Sequence, residues 1–373
     1  MPSRSLTVRR VPPEQHLAYV ASLPSASFLQ CPSWGAVKAE WRAESLGWFD
    51  GETMVGAGLV LYRQLPKLRR YLAYLPEGPL LDWASEELAA WLDPMVAHLR
   101  TAGAFAVRMG PPVAVRRWHA ETVKRAIAAG TAKRLSDLPP DQTAAYGDRV
   151  AATLASAGWR PPADEGGFGA GQPRYVFQVP LGGRTEDDLL KGFNQLWRRN
   201  IKKAEKSGVE VTEGGPGDLE RFHALYVETA RRDGFTPRPL TYFQRMCRAL
   251  TAEDPRRLRL YLARHEGDLV AATTMAQVGE HAWYSYGASS TAKRDVRGSN
   301  AIQWRMMRDA LARGATVYDL RGITDTIDES DPHFGLIQFK LGTGGEAVEY
   351  LGEWDLPLNR LLFKAFETYL ARR

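Results

Sequence analysis

The sequence has very few of the residues from which disulfide or metal scaffolds are built. Among its 373 residues are two cysteines, Cys31 and Cys247, and seven histidines without a His-x-x-x-His pair. Two cysteines exclude a disulfide framework, a cysteine-rich zinc site and a ligated iron–sulfur cluster. We therefore predict no metal site, and we expect the protein to work in a reducing compartment.

Long apolar segments are also missing. The longest apolar runs, such as residues 54–62, fall far short of the ~20 residues that a membrane span needs. The N-terminal residues 1–13 are charged and lack the apolar core of a secretory signal. These absences predict a cytoplasmic protein.

The common catalytic signatures do not occur. There is no Walker loop, no Gly-x-Ser-x-Gly elbow and no cysteine–histidine pair in the sequence. The sequence therefore gives no support to a P-loop nucleotidase, an α/β-hydrolase or a cysteine hydrolase.

The composition itself is that of a globular protein with a moderate excess of arginine. Apolar residues make up 44% and charged residues 25%, and the chain length corresponds to about two domains. The formal net charge is +6, with 38 arginines against 11 lysines. Codon bias in a GC-rich genome and a surface for polyanions both explain this balance. The overall charge does not distinguish these two explanations, so the distribution of charge along the chain has to do so.

The domain boundary is predicted in residues 137–173, where proline and glycine are concentrated. Strand-like and helix-like segments alternate on both sides of it, which predicts an α/β (mixed α+β) fold. We expect residues 1–160 to form a first domain and residues 161–351 a second.

Three local predictions bear on function. Hydrophobic periodicity predicts one helix over residues 30–44 and another over residues 186–207. The apolar run 334–339 is interpreted as a buried strand that ends at Lys340, before the glycine-rich residues 342–346. A lysine there suits a developing oxyanion or a substrate anion, although a lysine that merely extends to solvent fits the same pattern.

The most informative segment is residues 258–320, where the sequence predicts a hairpin, a strand, a loop, a helix and a strand in that order. That order resembles the core of the GNAT acyltransferase fold. In such a fold a phosphate binds at the N-terminus of the helix that follows the loop. Here the loop, residues 294–300, only loosely matches a pyrophosphate loop, so an acetyl-CoA-dependent enzyme is an alternative rather than the main prediction.

The strongest local charge lies in residues 191–206, which hold six basic residues and one acidic residue. An apolar stripe at helical spacing predicts that one side packs on the core and that the other presents cations to solvent or to phosphates. The cationic side comprises Arg198, Arg199, Lys202, Lys203 and Lys206.

Two further groups of cations suit a diphosphate. Arg231 and Arg232 end a predicted helix, where they complement the helix dipole or bind phosphate. Trp34 and Lys38 are four residues apart, so an aromatic ring and a cation share one helix face.

These segments, in this order, resemble the FemABX family of aminoacyl-tRNA-dependent peptidoglycan-bridge aminoacyltransferases, in its armless form. The matching pieces include FLQCPSWGAVK, ETARRDGF, WYSYGASS and GLIQFKLGTGGEAVEYLGEWDLPLN. In full they are residues 28–38, 193–211, 228–235, 261–272, 283–290, 318–323 and 335–359.

The resemblance implies two tandem GNAT-like domains, with the C-terminal helix (residues 352–373) returning to the first. It implies transfer of an amino acid from aminoacyl-tRNA to an amine of a UDP-linked or lipid-linked muropeptide, without cofactor or metal. Lys38 and either Arg231 or Arg232 would hold the acceptor diphosphate, and Phe339 with Lys340 would lie at the reaction centre. The basic helix would contact tRNA. We expect a monomer, cytoplasmic or peripheral at the cytoplasmic membrane face.

The sequence departs from the family in two places and leaves several alternatives open. The long coiled-coil arm of some relatives is missing, because only a short strand and turn separate Lys206 from the helix predicted at Asp218. Gly110-Pro111 stands where relatives often have an acid before proline. No general base is evident, and Asp319 and Glu346 are weaker candidates. Glycine, alanine and serine all remain as donated amino acids, and a peptide natural product remains as another acceptor. A non-catalytic RNA-binding protein would keep the basic helix but would not need Lys340.

Overall fold

The computed structural model describes residues 5–162 and 171–371, with side chains as far as Thr368, in two units. The first unit comprises residues 1–117, 142–174 and 349–373, and the second comprises residues 118–141 and 175–348. Residues 118–141, assigned by the sequence to the first domain, therefore belong to the second unit. The reason is packing, since Trp118, Val123 and Leu135 lie in the second hydrophobic core.

The strands, in chain order, are β1 (Thr7–Arg10), β2 (Arg42–Asp50), β3 (Thr53–Gln64), β4 (Tyr71–Leu75), β5 (Ala104–Met109), β6 (Ala114–His119), β7 (Gln142–Thr143), β8 (Tyr175–Pro180), β9 (Glu210–Gly214), β10 (Leu258–His265), β11 (Asp268–Val278), β12 (His281–Ser289), β13 (Val317–Ile323), β14 (Glu346–Tyr350) and β15 (Trp354–Pro357).

The helices are α1 (Pro13–Ser22), α2 (Ser33–Val37), α3 (Leu88–Thr101), α4 (Ala120–Ala129), α5 (Ala145–Ser156), α6 (Glu186–Gly192), α7 (Gln195–Lys206), α8 (Leu219–Asp233), α9 (Leu240–Glu253), α10 (Gly298–Ala312), α11 (Phe334–Leu341) and α12 (Arg360–Ala371). Within the described ranges, no helix has the length and apolarity to cross a membrane.

The sheet of the first unit has the order β1-β2-β3-β4-β5-β15. Its neighbours are antiparallel except β4 and β5, which run parallel and are connected through α3. The C-terminal helix α12 belongs to this unit, because Phe363 and Phe366 pack with Phe105 and Leu72. The predicted return of the last helix to the first domain is confirmed.

The second unit repeats the same arrangement. Its strands follow the order β14-β8-β13-β12-β11-β10-β9, and the parallel pair is β12 and β13, connected through α10. The series β10-β11-β12-α10-β13 thus corresponds to β2-β3-β4-α3-β5 in the first unit. A parallel pair needs such a crossover, usually a helix. The prediction of two tandem GNAT-like domains in a mixed α/β chain is confirmed.

The helix predicted over residues 186–207 is in fact two helices. α6 ends before Phe193, and α7 begins after Asn194, whose side-chain oxygen accepts a hydrogen bond from the Trp197 N–H at 2.9 Å. Asparagine is a favoured N-cap because its side chain satisfies an otherwise unpaired helix N–H. Apolar periodicity continues through the break, so the sequence pattern did not reveal it.

The helix predicted over residues 30–44 is also wrong in extent. Within that range only α2 is an α-helix. The chain leaves the helix at Lys38, whose φ is −91° and ψ is 46°. β2 starts at Arg42, because its apolar residues pair with β3 in the sheet of the first unit.

Candidate active site

Lys340 lies in the last turn of α11, not at the end of a strand. Ile337 and Leu341, one turn apart, are buried in the core of the second unit together with the partly buried Phe334. That spacing is helical, but Leu336 and Phe339 on the other sides of the helix are also apolar, which hid the period in the sequence. The strand interpretation of residues 334–339 is therefore wrong.

The ammonium group of Lys340 is held by backbone oxygens. The residue is only 3% exposed, and Nζ donates to the carbonyl oxygens of Arg321 at 3.1 Å and Gly322 at 2.6 Å. Both carbonyls belong to β13, where Arg321 adopts a left-handed conformation with φ 63°. An ammonium has three N–H donors, so one donor is left for a substrate oxygen.

Burial lowers the pKa of Lys340 to about 7. Asp319 opposes this shift by favouring the charged form, whereas the nearby Arg321 adds to it. The lysine therefore exchanges its proton near neutral pH, and an anion beside it would favour the charged state.

This pKa has a consequence for stability. Between pH 7 and 10.5 the unfolded chain holds a proton on Lys340 that the folded chain has released, so this residue makes the free energy of unfolding rise with pH. The slope approaches about 1.4 kcal/mol per pH unit. The Lys340→Met variant has no titratable group at this position, so its free energy of unfolding lacks this dependence on pH. We expect urea titrations from pH 7 to 9 to show wild type gaining stability relative to the variant; a constant difference would contradict the low pKa.

Asp319 is buried and hydrogen-bonded to neighbouring residues of the second unit. It is 2% exposed and accepts hydrogen bonds from the Arg321 N–H at 2.6 Å and from Gln178 at 3.1 Å, with His281 Nε2 at 3.5 Å. Burial alone would raise its pKa, but His281, Arg321 and Gln178 lower it overall. These contacts favour a role in fixing the β13 backbone that supplies the Lys340 carbonyls. Glu346, the other base candidate, begins β14 and lies 3.8 Å from His119.

Phe339 connects Lys340 to the basic helix. Its ring is 4.7 Å from the Trp197 ring, and its carbonyl accepts a hydrogen bond from the Trp197 indole at 2.8 Å. A Cβ at Gly342 would collide with the same indole, so glycine is required for this close approach. Helices α7 and α11 are therefore fixed against each other.

The predicted basic face of α7 is present, with one exception. None of its cations forms an ion pair with a carboxylate of residues 5–162 or 171–368. Arg198, however, donates to the carbonyls of Phe193 at 2.8 Å and Lys191 at 3.1 Å, so its guanidinium also stabilises the α6–α7 turn. All five cations are exposed, and the four whose side chains have no hydrogen-bond or ion-pair partner among the described residues are Arg199, Lys202, Lys203 and Lys206.

The structure separates Arg231 from Arg232 at the end of α8. Arg232 donates to the Ser289 carbonyl at 2.8 Å and pairs with Asp233 at 2.8 Å. Arg231 is exposed, and its guanidinium has no hydrogen-bond or ion-pair partner among the described residues. Arg232 is thus partly committed to the fold, whereas Arg231 is available to a ligand.

Lys38 lies in the first unit, immediately after α2. Its N–H donates to the Trp34 carbonyl at 3.1 Å, and Nζ is 5.9 Å from the Trp34 ring centre. The indole is buried and the lysine half-buried. The aromatic ring and the cation share one face, as the spacing predicts.

Sequence reasoning missed a buried polar network in the first unit. Tyr74 donates to Glu353 at 2.5 Å, and Arg108 binds Asp355 through two hydrogen bonds of 2.7 Å. Burial raises the pKa of Glu353. A Cβ at Gly110, where relatives often have an acid, would lie 3.8 Å from Glu353 Cγ. The only sequence signal was the pair of acids in the segment 352–355.

Comparisons with known proteins agree with this architecture. The FemAB family model matches residues 11–264 and 258–370. Lipid II:glycine glycyltransferase from Staphylococcus aureus (strain USA300) is 24% identical over 95% of this chain and 93% of its own length. The crystal structure of FemX superposes with a TM-score of 0.80 at 22% identity, covering 96% of this chain and 99% of that one.

A tandem GNAT protein from the clavulanic acid biosynthesis pathway shares the fold, with a TM-score of 0.52 at 11% identity over 95% of this chain and 99% of its own. The family match extends over both units, and the relatives in it are named as glycyltransferases. The predicted family and the predicted aminoacyltransferase class are confirmed: the chain belongs to the FemAB family.

Proposed function

We propose that this protein transfers an amino acid from aminoacyl-tRNA to an amine of the peptidoglycan stem peptide and so builds the interpeptide bridge. The observation that carries the proposal is the buried Lys340 ammonium, which two carbonyls hold in α11 next to the basic helix α7. Family membership supports the same chemistry.

The reaction needs stabilisation of the oxyanion that forms during transfer more than it needs activation of the ester. The ester on the tRNA is already reactive, and a neutral amine attacks its carbonyl carbon. The new C–N bond forms, the C–O bond to the ribose breaks, and the proton lost by the amine ends on the departing ribose oxygen. Lys340 would donate its remaining N–H to the oxyanion of the tetrahedral intermediate, in a site where little water competes. The substrates themselves would relay the proton, and no cofactor or metal takes part.

The donor would lie along α7. A single-sign cationic face without carboxylate partners in the described chain suits the phosphate backbone of tRNA. Because Trp197 joins this helix to Phe339, a tRNA bound there would bring its acylated end towards Lys340.

The acceptor diphosphate would bind Lys38 and Arg231. Arg231 is favoured over Arg232, because Arg232 is already bonded to Ser289 and Asp233. An arginine suits phosphate through paired N–H donors.

Alanine substitution tests this assignment. Lys38→Ala and Arg231→Ala should each raise the acceptor KM, on the order of tenfold for one lost charged contact, more than they lower kcat. Arg232→Ala is the matched comparison, and we expect it to lower the melting temperature more than Arg231→Ala does. Unchanged KM values for Lys38→Ala and Arg231→Ala would refute the diphosphate assignment.

The donated amino acid and the linkage of the acceptor define the finer function. We propose glycine first, because the curated relatives are lipid II:glycine glycyltransferases, with alanine and serine as alternatives. We likewise favour a lipid-linked acceptor, reached from the cytoplasmic membrane face, over a UDP-linked one. A panel of tRNAs charged with each amino acid, offered to both acceptors and read by product mass, tests both choices. Transfer only to a peptide natural product would contradict the bridge-building proposal.

A further inference from the structure

The first unit contains a basic cleft that the proposed reaction does not use. It has a volume of about 340 Å³ and lies where the β3–β4 turn, the end of α3 and the start of α12 meet. Its lining includes Arg70, Arg100, Asn359 and Leu362. Two guanidinium groups bordering one polar cleft favour an anion.

Apolar packing joins two of the elements that border the cleft. Leu65, at the start of the β3–β4 turn, is buried in one cluster with Phe363 and Phe366 of α12. The Leu65 N–H donates to the Arg70 carbonyl at 2.9 Å, which closes the turn. The turn and the helix are therefore packed together, so their exposed residues lie near each other on the protein surface.

Cations surround the cleft and lack acidic partners. Six of them are exposed, and none pairs with a carboxylate within the described part of the chain. By contrast, Arg160 pairs with Glu367 of α12 at 3.3 Å. The six are Lys67, Arg69, Arg70, Arg100, Arg360 and Lys364.

Two of the most exposed leucines belong to the same elements. Leu361, in the first turn of α12, is 84% exposed, and Leu68, in the β3–β4 turn, is 48% exposed. A single exposed leucine needs no explanation. Two that flank a set of unpaired cations fit the interface of an anionic bilayer, where apolar side chains enter the acyl boundary and cations meet headgroup phosphates.

We propose that this surface, formed by residues 66–70, Arg100 and the exposed side of α12 at 360–364, docks the protein on an anionic lipid bilayer. A lipid phosphate would occupy the cleft between Arg70 and Arg100, and Leu68 and Leu361 would enter the membrane. RNA would use the cations but would gain nothing from the leucines. The inference rests on the proposed lipid-linked acceptor for its purpose, since it places the enzyme where that substrate lies.

Vesicle co-sedimentation tests the docking surface without tRNA or acceptor, so failure here is distinct from failure of the transfer reaction. The full chain is mixed with phosphatidylcholine vesicles that contain or lack phosphatidylglycerol. Wild type should bind only the anionic vesicles. The double variant Arg70→Gln, Arg360→Gln should bind about 25-fold more weakly, at about fivefold per cation.

Two further variants separate the contributions. Leu68→Ser with Leu361→Ser should weaken binding on the order of tenfold through lost apolar burial. Arg221→Gln with Arg248→Gln removes two exposed cations from the second unit and should change binding less than about twofold. Melting temperatures check that each variant is folded.

The proposal is overturned if wild type binds neither vesicle or both equally, or if the control variant loses as much affinity as the Arg70 and Arg360 variant. It is also overturned if the leucine variant binds like wild type. Loss of tRNA affinity, rather than vesicle affinity, in the Arg70 and Arg360 variant would assign the surface to RNA instead.

Discussion

Replacing Lys340 with methionine is expected to slow single-turnover transfer by about 10²–10³-fold, the usual effect of losing one oxyanion donor. Methionine keeps the length and the apolar stem of the side chain but removes the charge. The fold should tolerate methionine at this position, because Lys340 is only 3% exposed and an apolar side chain suits a buried site. The substitution removes only two hydrogen bonds among the described residues, those to the carbonyls of Arg321 and Gly322.

A surface lysine provides the control for this experiment. Lys133 is in the same unit, its side chain is 81% exposed, and Lys133→Met should transfer at the wild-type rate. A normal rate in Lys340→Met would refute a catalytic role. A slow rate together with a collapsed melting temperature would show that Lys340 supports the β13 carbonyls rather than the reaction.

Neutralising the α7 face should weaken tRNA binding on the order of 10²-fold at moderate salt, because each lost phosphate contact removes roughly one unit from the salt slope. The triple variant Arg199→Gln, Lys202→Gln, Lys206→Gln should therefore reduce the slope of log Kd against log salt by roughly three. Arg198 is left unchanged in this variant, because it holds the carbonyls of Phe193 and Lys191.

The comparison variant carries the same charge loss on other elements of the second unit. Arg184→Gln, Arg221→Gln and Arg248→Gln are all exposed positions and should leave the salt slope near that of wild type. If the α7 variant kept wild-type affinity and slope, the basic face would be a solvated helix surface and tRNA would have to bind elsewhere.

Much of the fold was predictable because local pattern and tertiary role agree. The hairpin of β10 and β11 was predicted to the residue, since Glu266 and Gly267 form a turn signal between two segments rich in apolar residues. Both turn residues have positive φ, 52° and 84°. Residues 118–141 were misassigned because their unit depends on which core receives Trp118, and no local pattern records that choice.

The candidate site was predictable in its side chains but not in its backbone. Lys340 stood out as a cation beside an apolar run, yet its partners are the carbonyls of Arg321 and Gly322. Every residue has a carbonyl, so the sequence gives no signal for such partners. The difference between Arg231 and Arg232 was equally hidden, because it depends on Ser289, which is distant in sequence and supplied by β12.

The central claim is that an aminoacyl group passes from tRNA to a muropeptide amine in this protein. The most direct measurement is a single-turnover reaction with isotope-labelled glycyl-, alanyl- or seryl-tRNA and UDP-linked or lipid-linked muropeptide, followed by mass analysis of the stem peptide. The account predicts that label appears as an amide on the muropeptide, that ribonuclease pretreatment of the donor prevents it, and that acetyl-CoA yields no product. Label that stays on every tRNA, or acetylation of the muropeptide by acetyl-CoA, would contradict it.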